Sequence, residues 1–262
     1  MTKSSVIPIG PQNKLPSKLQ VLVTGVASGI GQAQAQAFLD HGHHIYGVDR
    51  HSSPTIDQWL NDPSASFDFF QADLSDHSSC QAVLEDYQKN HHRLDVLCNT
   101  AGILDDFKPL DQTSFDQWDL ILRTNLYSVF TLTKGLLPLL LKNPTSRLIN
   151  MASIASLTAG GGGVSYTATK HAIAGFTKQM AYDYSSMGLR ANAIAPGAIA
   201  TPMNQADFHG EATMAQWVAN QTPVKRWASP EEVAQLTLFL ASDASDYLSG
   251  AVIPLDGGWM IR

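Results

Sequence analysis

The sequence predicts a single-domain α/β protein with a doubly wound, seven-stranded parallel sheet and helices on both faces. Short apolar runs alternate with longer helical patterns along the chain, as in parallel strands joined by crossover helices. A glycine-rich turn leads from the first run straight into a helical pattern. A length of 262 residues suits one domain of this class. We expect it to span residues 19–262, after an N-terminal extension of residues 1–18.

The predicted strands are seven short, mostly apolar runs. In chain order they occupy residues 19–23, 44–48, 67–71, 94–98, 148–151, 191–195 and 251–255. Helical patterns separate most of them, beginning with residues 32–39 after the first run. Doubly wound sheets bind ligands at the carboxyl ends of their strands, so the residues just after each run are the candidate site residues.

The composition argues against several other classes of protein. Charged residues make up 15% of the chain, against roughly 25% in an average soluble domain. The net charge of -6 disfavours general nucleic-acid binding. No apolar run approaches the ~18 residues of a membrane-spanning helix, and the N-terminus lacks the apolar stretch of a secretory signal. Cys80 and Cys98 cannot form a disulfide framework, so we expect a reducing cytoplasm and a buried Cys98 thiol.

The first strand is followed by Gly25, Gly29 and Gly31 in the pattern T-G-x-x-x-G-x-G. Such a turn lets the backbone approach a phosphate closely, and the helix that follows presents free N–H groups and a positive dipole end to the anion. The pattern therefore predicts a dinucleotide site. The alternative is a glycine turn with a purely structural role.

Asp49 ends the second strand, 18 residues beyond Gly31. A carboxylate there accepts hydrogen bonds from the adenosine ribose and repels the 2′-phosphate of NADP, which favours NAD. Ser28 also stands where a basic residue would favour NADP. The alternatives are that Asp49 only caps its turn and that Arg50 contacts a 2′-phosphate. Asp73, after the third strand, can bind adenine or cap a helix that begins near residue 75.

Tyr166 and Lys170 are spaced i and i+4 in a helical pattern after the fifth strand. This spacing places both side chains on one helical face, where an ammonium favours the phenolate and lowers the tyrosine pKa toward working pH. Ser153, at the end of the fifth strand, can hydrogen-bond a substrate oxygen that Tyr166 protonates or deprotonates. Taken alone, Y-x-x-x-K is also common on ordinary solvated helices.

Together these motifs resemble the short-chain dehydrogenase/reductase family, in the branch of 3-oxoacyl-carrier-protein reductases and NAD-dependent alcohol dehydrogenases. The resemblance runs from about residue 18 to residue 262. It rests on the glycine turn, on an N-x-A-G segment in which Thr100 departs from the family's N-N-A-G, and on further motifs in family order. These are Asn125, Ser153, Tyr166, Lys170, Pro196-Gly197, Thr201, Ser249-Gly250 and Asp256-Gly257-Gly258.

The resemblance implies a Rossmann fold and a catalytic set. Tyr166 would be the general acid/base, Ser153 would polarise the substrate carbonyl, and Lys170 would bind the nicotinamide ribose while lowering the Tyr166 pKa. Asn125 would support a proton-relay water. The residues implied to bind the cofactor are Gly25, Ser28, Gly29, Ile30, Gly31, Asp49, Asp73, Leu74, Asn99, Ala101, Gly102, Tyr166, Lys170, Pro196, Gly197, Ile199 and Thr201.

The segment 203–222 resembles the family's substrate lid. It is rich in apolar side chains and contains no lysine or arginine, which favours a small neutral or apolar ketone or secondary alcohol over an anion. Alternatively, these side chains only pack the lid onto the core. Two other functions stay open. One is reduction of a 3-oxoacyl carrier protein. The acidic helix near Asp183 disfavours it, because the carrier is acidic too, whereas the basic pair Lys225-Arg226 keeps it open. The other is a non-catalytic cofactor-sensing scaffold.

Two further expectations concern metal and assembly. The histidine pairs 43–44 and 91–92 lack metal-site spacing, so we predict no catalytic metal. The predicted helical stretch 115–141 is apolar over more than one face, which suggests a partner surface. Because the family commonly pairs such a helix across two-fold axes, the resemblance implies a homodimer or homotetramer.

Overall fold

The computed structural model describes residues 18–208 and 213–262. Residues 1–17, most of the predicted N-terminal extension, lie outside that range, as do residues 209–212 of the predicted lid. The described chain forms one seven-stranded sheet in the order β3-β2-β1-β4-β5-β6-β7, and every neighbouring pair is parallel. The predicted fold class is therefore confirmed.

All seven predicted strands form, with bounds shifted by at most two residues. They are β1 Gln20–Thr24, β2 His44–Asp49, β3 Phe67–Gln71, β4 Val96–Asn99, β5 Ser146–Met151, β6 Leu189–Pro196 and β7 Val252–Leu255. The central strands β4, β5 and β6 are almost wholly buried, because helices cover both faces of the sheet.

Eight α-helices connect or follow these strands in the described ranges. They are α1 Gly29–Asp40, α2 Pro54–Asn61, α3 His77–Asn90, α4 Phe115–Leu122, α5 Ser128–Leu140, α6 Val164–Tyr184, α7 Thr213–Gln221 and α8 Pro230–Ala241. Their start signals are local. Asp76 caps α3 by accepting from the Ser79 amide, and Ser229 with Glu232 forms a capping box on α8. Since α3 begins at His77, Asp73 does not cap it.

The predicted helical stretch 115–141 is interrupted. A π-helical turn, Arg123–Tyr127, lies between α4 and α5. Such turns insert an extra residue into the helical ladder and are frequent at functional sites. This one carries Asn125, which is buried. The sequence pattern alone did not reveal the break because the apolar residues continue on both sides of it.

The core consists of two layers, one on each face of the sheet. Alternate residues of β1 divide between them: Val21 and Val23 join α1, α2 and α8, whereas Leu22 joins α3, α5 and α6. This burial accounts for most of the apolar stretch 115–141, since Ile121 and Leu132 are packed inside the monomer. The apolar side chains of this stretch that stay exposed are Phe115, Leu120, Tyr127 and Phe130.

The strand order reverses next to β1. The chain builds β1, β2 and β3 in one direction and then returns to place β4 on the other side of β1. The connections after β1 and β4 therefore diverge and leave a crevice at the carboxyl ends of these strands, the position at which open α/β sheets bind ligands. No helix within the described ranges is long and apolar enough to cross a membrane.

Candidate active site

A cavity of about 1030 Å³ occupies this crevice. Its lining includes almost every residue predicted to bind a cofactor or substrate. The predicted residues that line it are Gly25, Ser28, Gly29, Ile30, Gly31, Asp49, Asp73, Leu74, Ala101, Gly102, Ser153, Tyr166, Lys170, Pro196, Gly197, Ile199 and Thr201. Two predicted residues, Asn99 and Asn125, are buried behind it.

The glycine turn leaves the α1 N-terminus open to the cavity. Gly25 and Gly29 have φ values of 81° and 55°, which side chains rarely tolerate. A Cβ on Gly31 would come within 2.1 Å of the Gly25 carbonyl oxygen. Ser28, at the N-cap, makes no side-chain capping bond. The first-turn amides are thus available for an anion at the positive end of the helix dipole.

Asp49, at the end of β2, lies against the glycine turn. One carboxylate oxygen accepts from the Ala27 amide at 3.0 Å, and the other accepts from the His51 amide at 3.0 Å. Asp49 therefore does cap its local turn, which is the alternative role that the sequence left open. These contacts also fix the carboxylate at the cavity wall, where each oxygen keeps acceptor capacity for a ligand hydroxyl. Arg50, beside it, is exposed.

Asp73 and Leu74 extend the same wall after β3. The Asp73 carboxylate accepts from the Ser75 amide at 2.9 Å, and this backbone hydrogen bond holds the pKa of Asp73 below its ordinary value. The residue therefore forms a local turn and borders the cavity at the same time.

The loop after β4 is tied to β1 through Thr24. Its hydroxyl oxygen accepts from the amides of Thr100 and Ala101 at 2.9 and 3.0 Å. The Thr100 hydroxyl in turn donates to Gln34 at 2.6 Å, so the departure from the family's asparagine satisfies a buried amide of α1. These contacts keep Ala101 and Gly102 against the cavity.

The side chain of Asn99 does not line the cavity, and its predicted contact with a cofactor stays a prediction. Its amide donates to Thr133 at 3.1 Å and to Asn150 at 2.9 Å. The reason is strand direction, since Asn99 pairs with Asn150 in the register of β4 and β5 and points into the core. It supports the cavity floor from beneath.

Tyr166 and Lys170 project from the first two turns of α6 and are both buried. The Lys170 Nζ donates to the Met151 carbonyl oxygen at 2.7 Å and lies 5.4 Å from the centre of the Tyr166 ring. Ser153 comes from the end of β5, and its hydroxyl oxygen accepts from the Ala155 amide at 3.1 Å. The predicted trio thus meets at one wall of the cavity.

Burial has the largest effect on the pKa values of Tyr166 and Lys170. Burial raises the pKa of Tyr166 to about 12, hydrogen bonding with Ser153 opposes this rise, and the charge of Asp105 adds to it. Burial lowers the pKa of Lys170 to about 8. Burial is the largest of these effects on Tyr166, so its pKa lies above the ordinary value. The expected lowering of this pKa by Lys170 stays a prediction.

Asn125 lies behind Gly102 and braces the loop after β4. Its side-chain oxygen accepts from the Ile103 amide at 2.8 Å, and its amide donates to the Ile103 carbonyl at 2.9 Å. A Cβ on Gly102 would sit 3.3 Å from the Asn125 oxygen and 3.7 Å from the Lys170 Nζ. Asn125 is therefore close to the trio, and the π turn aims it there.

Asp105 is a buried carboxylate that the motifs did not reveal. It accepts from the Gly163 amide at 2.7 Å, the Tyr166 amide at 2.8 Å and the Ser165 hydroxyl at 3.1 Å. It thus caps α6 from a distant loop. The available signal was an acidic residue in the segment after N-x-A-G, which by itself does not distinguish a cap from a solvated loop.

The predicted lid and the C-terminal segment add apolar and aromatic side chains to the cavity lining. Met203, Met214 and Trp217 of the predicted lid line it, whereas Phe208 packs on Trp227 with a ring separation of 4.8 Å. The C-terminal segment supplies a second wall that sequence reasoning missed. It consists of Trp259 and Arg262, whose guanidinium lies 3.4 Å from the centre of the Trp259 ring.

A dinucleotide turn beside a buried tyrosine and lysine defines, as a class, an oxidoreductase that uses a nicotinamide cofactor on CH–OH groups. The family model described as "Enoyl-(Acyl carrier protein) reductase" matches residues 25–260. The chain belongs to the short-chain dehydrogenase/reductase family.

Individual relatives cover nearly the whole chain. "Short-chain dehydrogenase/reductase cdmF" of Talaromyces verruculosus is 34% identical over 91% of this chain and 96% of its own length. The 2-dehydro-3-deoxy-D-gluconate 5-dehydrogenase of Bacillus subtilis is 35% identical over 92% of this chain and 94% of its own length. The 3-oxoacyl-[acyl-carrier-protein] reductase FabG of Thermotoga maritima is 33% identical over 92% of this chain and 97% of its own length.

A solved structure is also similar. It is described as a putative NAD(P)-dependent gluconate 5-dehydrogenase from Beutenbergia cavernae with bound NADP. It has a TM-score of 0.88 and 31% identity over 95% of this chain and 99% of its own.

Proposed function

We propose that the protein transfers hydride between NAD(H) and a neutral or apolar ketone or secondary alcohol. The observation that carries the proposal is the meeting of Tyr166, Ser153 and Lys170 at one wall of a cavity whose other end is an open helix N-terminus. The glycine cradle fits a dinucleotide, because a side chain at Gly31 would fill the space of its own turn. The bound cofactor supplies or accepts the hydride.

In ketone reduction, the Tyr166 hydroxyl donates a proton to the carbonyl oxygen as that oxygen gains charge. The raised pKa of Tyr166 keeps this proton in place at neutral pH. Ser153 donates a hydrogen bond to the same oxygen and so favours the developing charge. Lys170 is anchored on the Met151 carbonyl and holds a positive charge near the Tyr166 ring. This charge stabilises the Tyr166 phenolate that forms when the proton is transferred. Alcohol oxidation reverses these steps.

The preference for NAD(H) is proposed from charge. Asp49 places a carboxylate at the cavity wall, and Ser28 adds no cation in the glycine turn. A 2′-phosphate there would meet like charge at close range. Similar structures carry either cofactor: one contains NADP, and the 4-hydroxyisoleucine dehydrogenase contains NADH. The carboxylate is therefore the residue whose replacement should change the selectivity.

The substrate class is proposed from the apolar side chains of the predicted lid that line the cavity. Met203, Met214 and Trp217 offer apolar surface there. Arg262, a cation that also lines the cavity, is stacked on Trp259 and hydrogen-bonds Gln221 at 3.3 Å. A neutral or apolar substrate makes the better match to this wall, because an anion would compete for a cation that is already engaged.

Reduction of a 3-oxoacyl carrier protein is the competing proposal, and a FabG relative supports it. Docking an acidic carrier requires free cations near the entrance. Arg226, however, forms a two-pronged ion pair with Glu232 at 2.7 and 2.8 Å, and the Lys225 Nζ donates to the Asn220 carbonyl. Both residues of the basic pair are thus used within the chain, which favours a free small substrate.

Two coarser expectations accompany this function. We propose a homotetramer or homodimer formed through the exposed apolar side chains of α4, the π turn and α5, with Tyr182 on α6. We propose a reducing cytoplasm as its location, because Cys80 and Cys98 are buried free thiols. Mass in solution at micromolar concentration tests the assembly, and a monomer would contradict it.

The test of function is a matrix of substrates and cofactors read at the nicotinamide absorbance. The panel contains apolar ketones, bulky secondary alcohols, sugar acids and a 3-oxoacyl carrier protein, each with both cofactors. We expect the highest kcat/KM with NAD(H) and a neutral apolar substrate. A higher kcat/KM for a sugar acid or the carrier protein would overturn the substrate class, and no turnover beside intact NADH binding would favour the scaffold alternative.

A further inference from the structure

The end of the sheet opposite the cavity carries a cluster of two histidines and one aspartate, hereafter the His44–Asp68–His91 cluster. His44 begins β2, Asp68 is the second residue of β3, and His91 directly follows α3. Asp68 pairs with Tyr46 in the strand register, so its side chain shares a face with those of Tyr46 and His44. Three separate elements thus bring metal-binding groups together.

Two of the three ligand separations in the cluster suit a small cation. His44 Nε2 lies 3.1 Å from Asp68 Oδ2, and His91 Nε2 lies 3.3 Å from the same oxygen. All three ligand atoms lie within 4.8 Å of one another. Zinc bonds of about 2.0–2.1 Å in a tetrahedron place neighbouring ligand atoms about 3.3 Å apart. The two nitrogen–oxygen distances match this spacing.

The histidines are held in place before any ion binds. Both imidazoles are about one-seventh exposed. The His91 ring stacks on Tyr87 at 4.7 Å and meets the edge of Tyr46 at 5.4 Å. The His44 Nδ1 is buried without a partner among the described residues, so this ring makes its polar contact through Nε2.

A divalent metal ion binds the neutral form of an imidazole. Asp68 is about half exposed, which leaves a side of the cluster open to water. Two imidazoles, a carboxylate and a water make the four-ligand set that borderline divalent cations such as Zn²⁺ take.

We propose that the His44–Asp68–His91 cluster binds one divalent transition-metal ion of the zinc type and joins the edge of the sheet to the end of α3. The site is separate from catalysis, since His44 opens β2 whereas Asp49, at its other end, lines the cavity. The prediction of no catalytic metal concerned sequence spacing. Ligands on three elements have no fixed sequence spacing, so no spacing motif marks this cluster.

The experiment uses full-length, tag-free protein, stripped with a chelator and titrated with Zn²⁺ against a chromogenic chelator. We compare wild type with His91→Gln and Asp68→Asn, and the exposed neighbour His92→Gln is the matched control. We expect one zinc per chain for wild type and the control, with at least tenfold weaker binding in the two cluster variants. Zinc should raise the Tm of wild type and leave that of the cluster variants unchanged.

Three results would overturn the proposal. They are no zinc uptake by wild type, equal uptake by wild type and both cluster variants, and loss of uptake in His92→Gln. X-ray absorption on zinc-loaded wild type decides independently of variant folding: two imidazoles with oxygen support the site, and sulfur ligation places the zinc on a cysteine and overturns it.

Discussion

The buried carboxylate of Asp105 accepts a hydrogen bond of 2.8 Å from the backbone amide of Tyr166. It also accepts from the Gly163 amide, the N-cap of α6. A carboxylate at a helix N-terminus satisfies free amides and complements the helix dipole. Because α6 carries both Tyr166 and Lys170, this cap fixes the direction in which the two side chains enter the cavity. Asp105 is thus a positioning residue.

Replacing Asp105 should weaken catalysis and shift its pH profile. For Asp105→Asn we expect a kcat reduced by about tenfold or more, because a misplaced acid/base loses much of its advantage. The alcohol-oxidation profile should move to lower pH, because the charge of Asp105 raises the pKa of Tyr166. Stability should fall by about 1–3 kcal/mol, the cost of poorly satisfied buried partners. Kinetics across pH and denaturant unfolding measure these effects.

The matched control is Asp106→Asn. Asp106 is the exposed neighbour of Asp105 and pairs only loosely with Lys108 at 3.6 Å. It should leave kcat, the pH profile and stability near those of wild type. An Asp105 variant that loses stability with an unchanged pH profile would make its role structural only.

The two reaction directions should depend on pH in different ways. The raised pKa of Tyr166 keeps the phenol protonated from pH 6 to 9. Ketone reduction should therefore stay nearly constant up to about pH 7 and decline above it, because burial lowers the pKa of Lys170 to about 8 and the stabilising ammonium charge is lost there. Alcohol oxidation needs a proton acceptor, and the phenolate fraction grows about tenfold per pH unit below the pKa. Initial rates at saturating cofactor test this. Oxidation that is independent of pH from 7 to 9 would contradict the assignment.

Asp49 should control cofactor choice. Wild type should use NADH at least about tenfold better than NADPH in kcat/KM, a difference of about 1.4 kcal/mol. Asp49→Ser should erase most of that preference, chiefly by improving NADPH, because the repelling charge is gone. Asp73→Asn is the control on the neighbouring wall and should keep the preference. Equal use of both cofactors by wild type is the contradicting result.

The glycine turn makes a steric prediction. Gly31→Ala would place a Cβ 2.1 Å from the Gly25 carbonyl oxygen, so the turn must open and NADH binding should be lost together with several degrees of Tm. Gly175→Ala is the control, because nothing beyond its chain neighbours and the backbone of α6 lies within 4 Å of its added Cβ. It should raise stability by up to about 1 kcal/mol, the helix propensity difference. Titration of NADH and thermal melts distinguish the two variants.

The sequence was most informative where one local rule sufficed. Apolar runs placed all seven strands, and the i and i+4 spacing placed Tyr166 beside Lys170. The sequence did not predict contacts between residues that are far apart along the chain. Asp105 and α6 lie about sixty residues apart, and His44, Asp68 and His91 come from three elements, so neither contact leaves a short-range signal.

Burial also affects the proposed acid/base. The i and i+4 spacing predicts that Lys170 lowers the Tyr166 pKa, and this effect stays a prediction, whereas burial raises the same pKa. Burial depends on how the whole sheet and α6 pack, which no motif encodes. The π turn at Asn125 was missed for a related reason, since the apolar pattern runs through it unbroken.

The central claim is that Tyr166 is the acid/base of a hydride transfer, and Tyr166→Phe tests it most directly. NADH oxidation is followed with a ketone that wild type reduces, and NADH affinity is measured in parallel. The account predicts unchanged NADH affinity and stability with a rate lower by about 10²–10⁴-fold, because only the hydroxyl is removed. A variant that binds NADH normally and turns over at nearly the wild-type rate would contradict it.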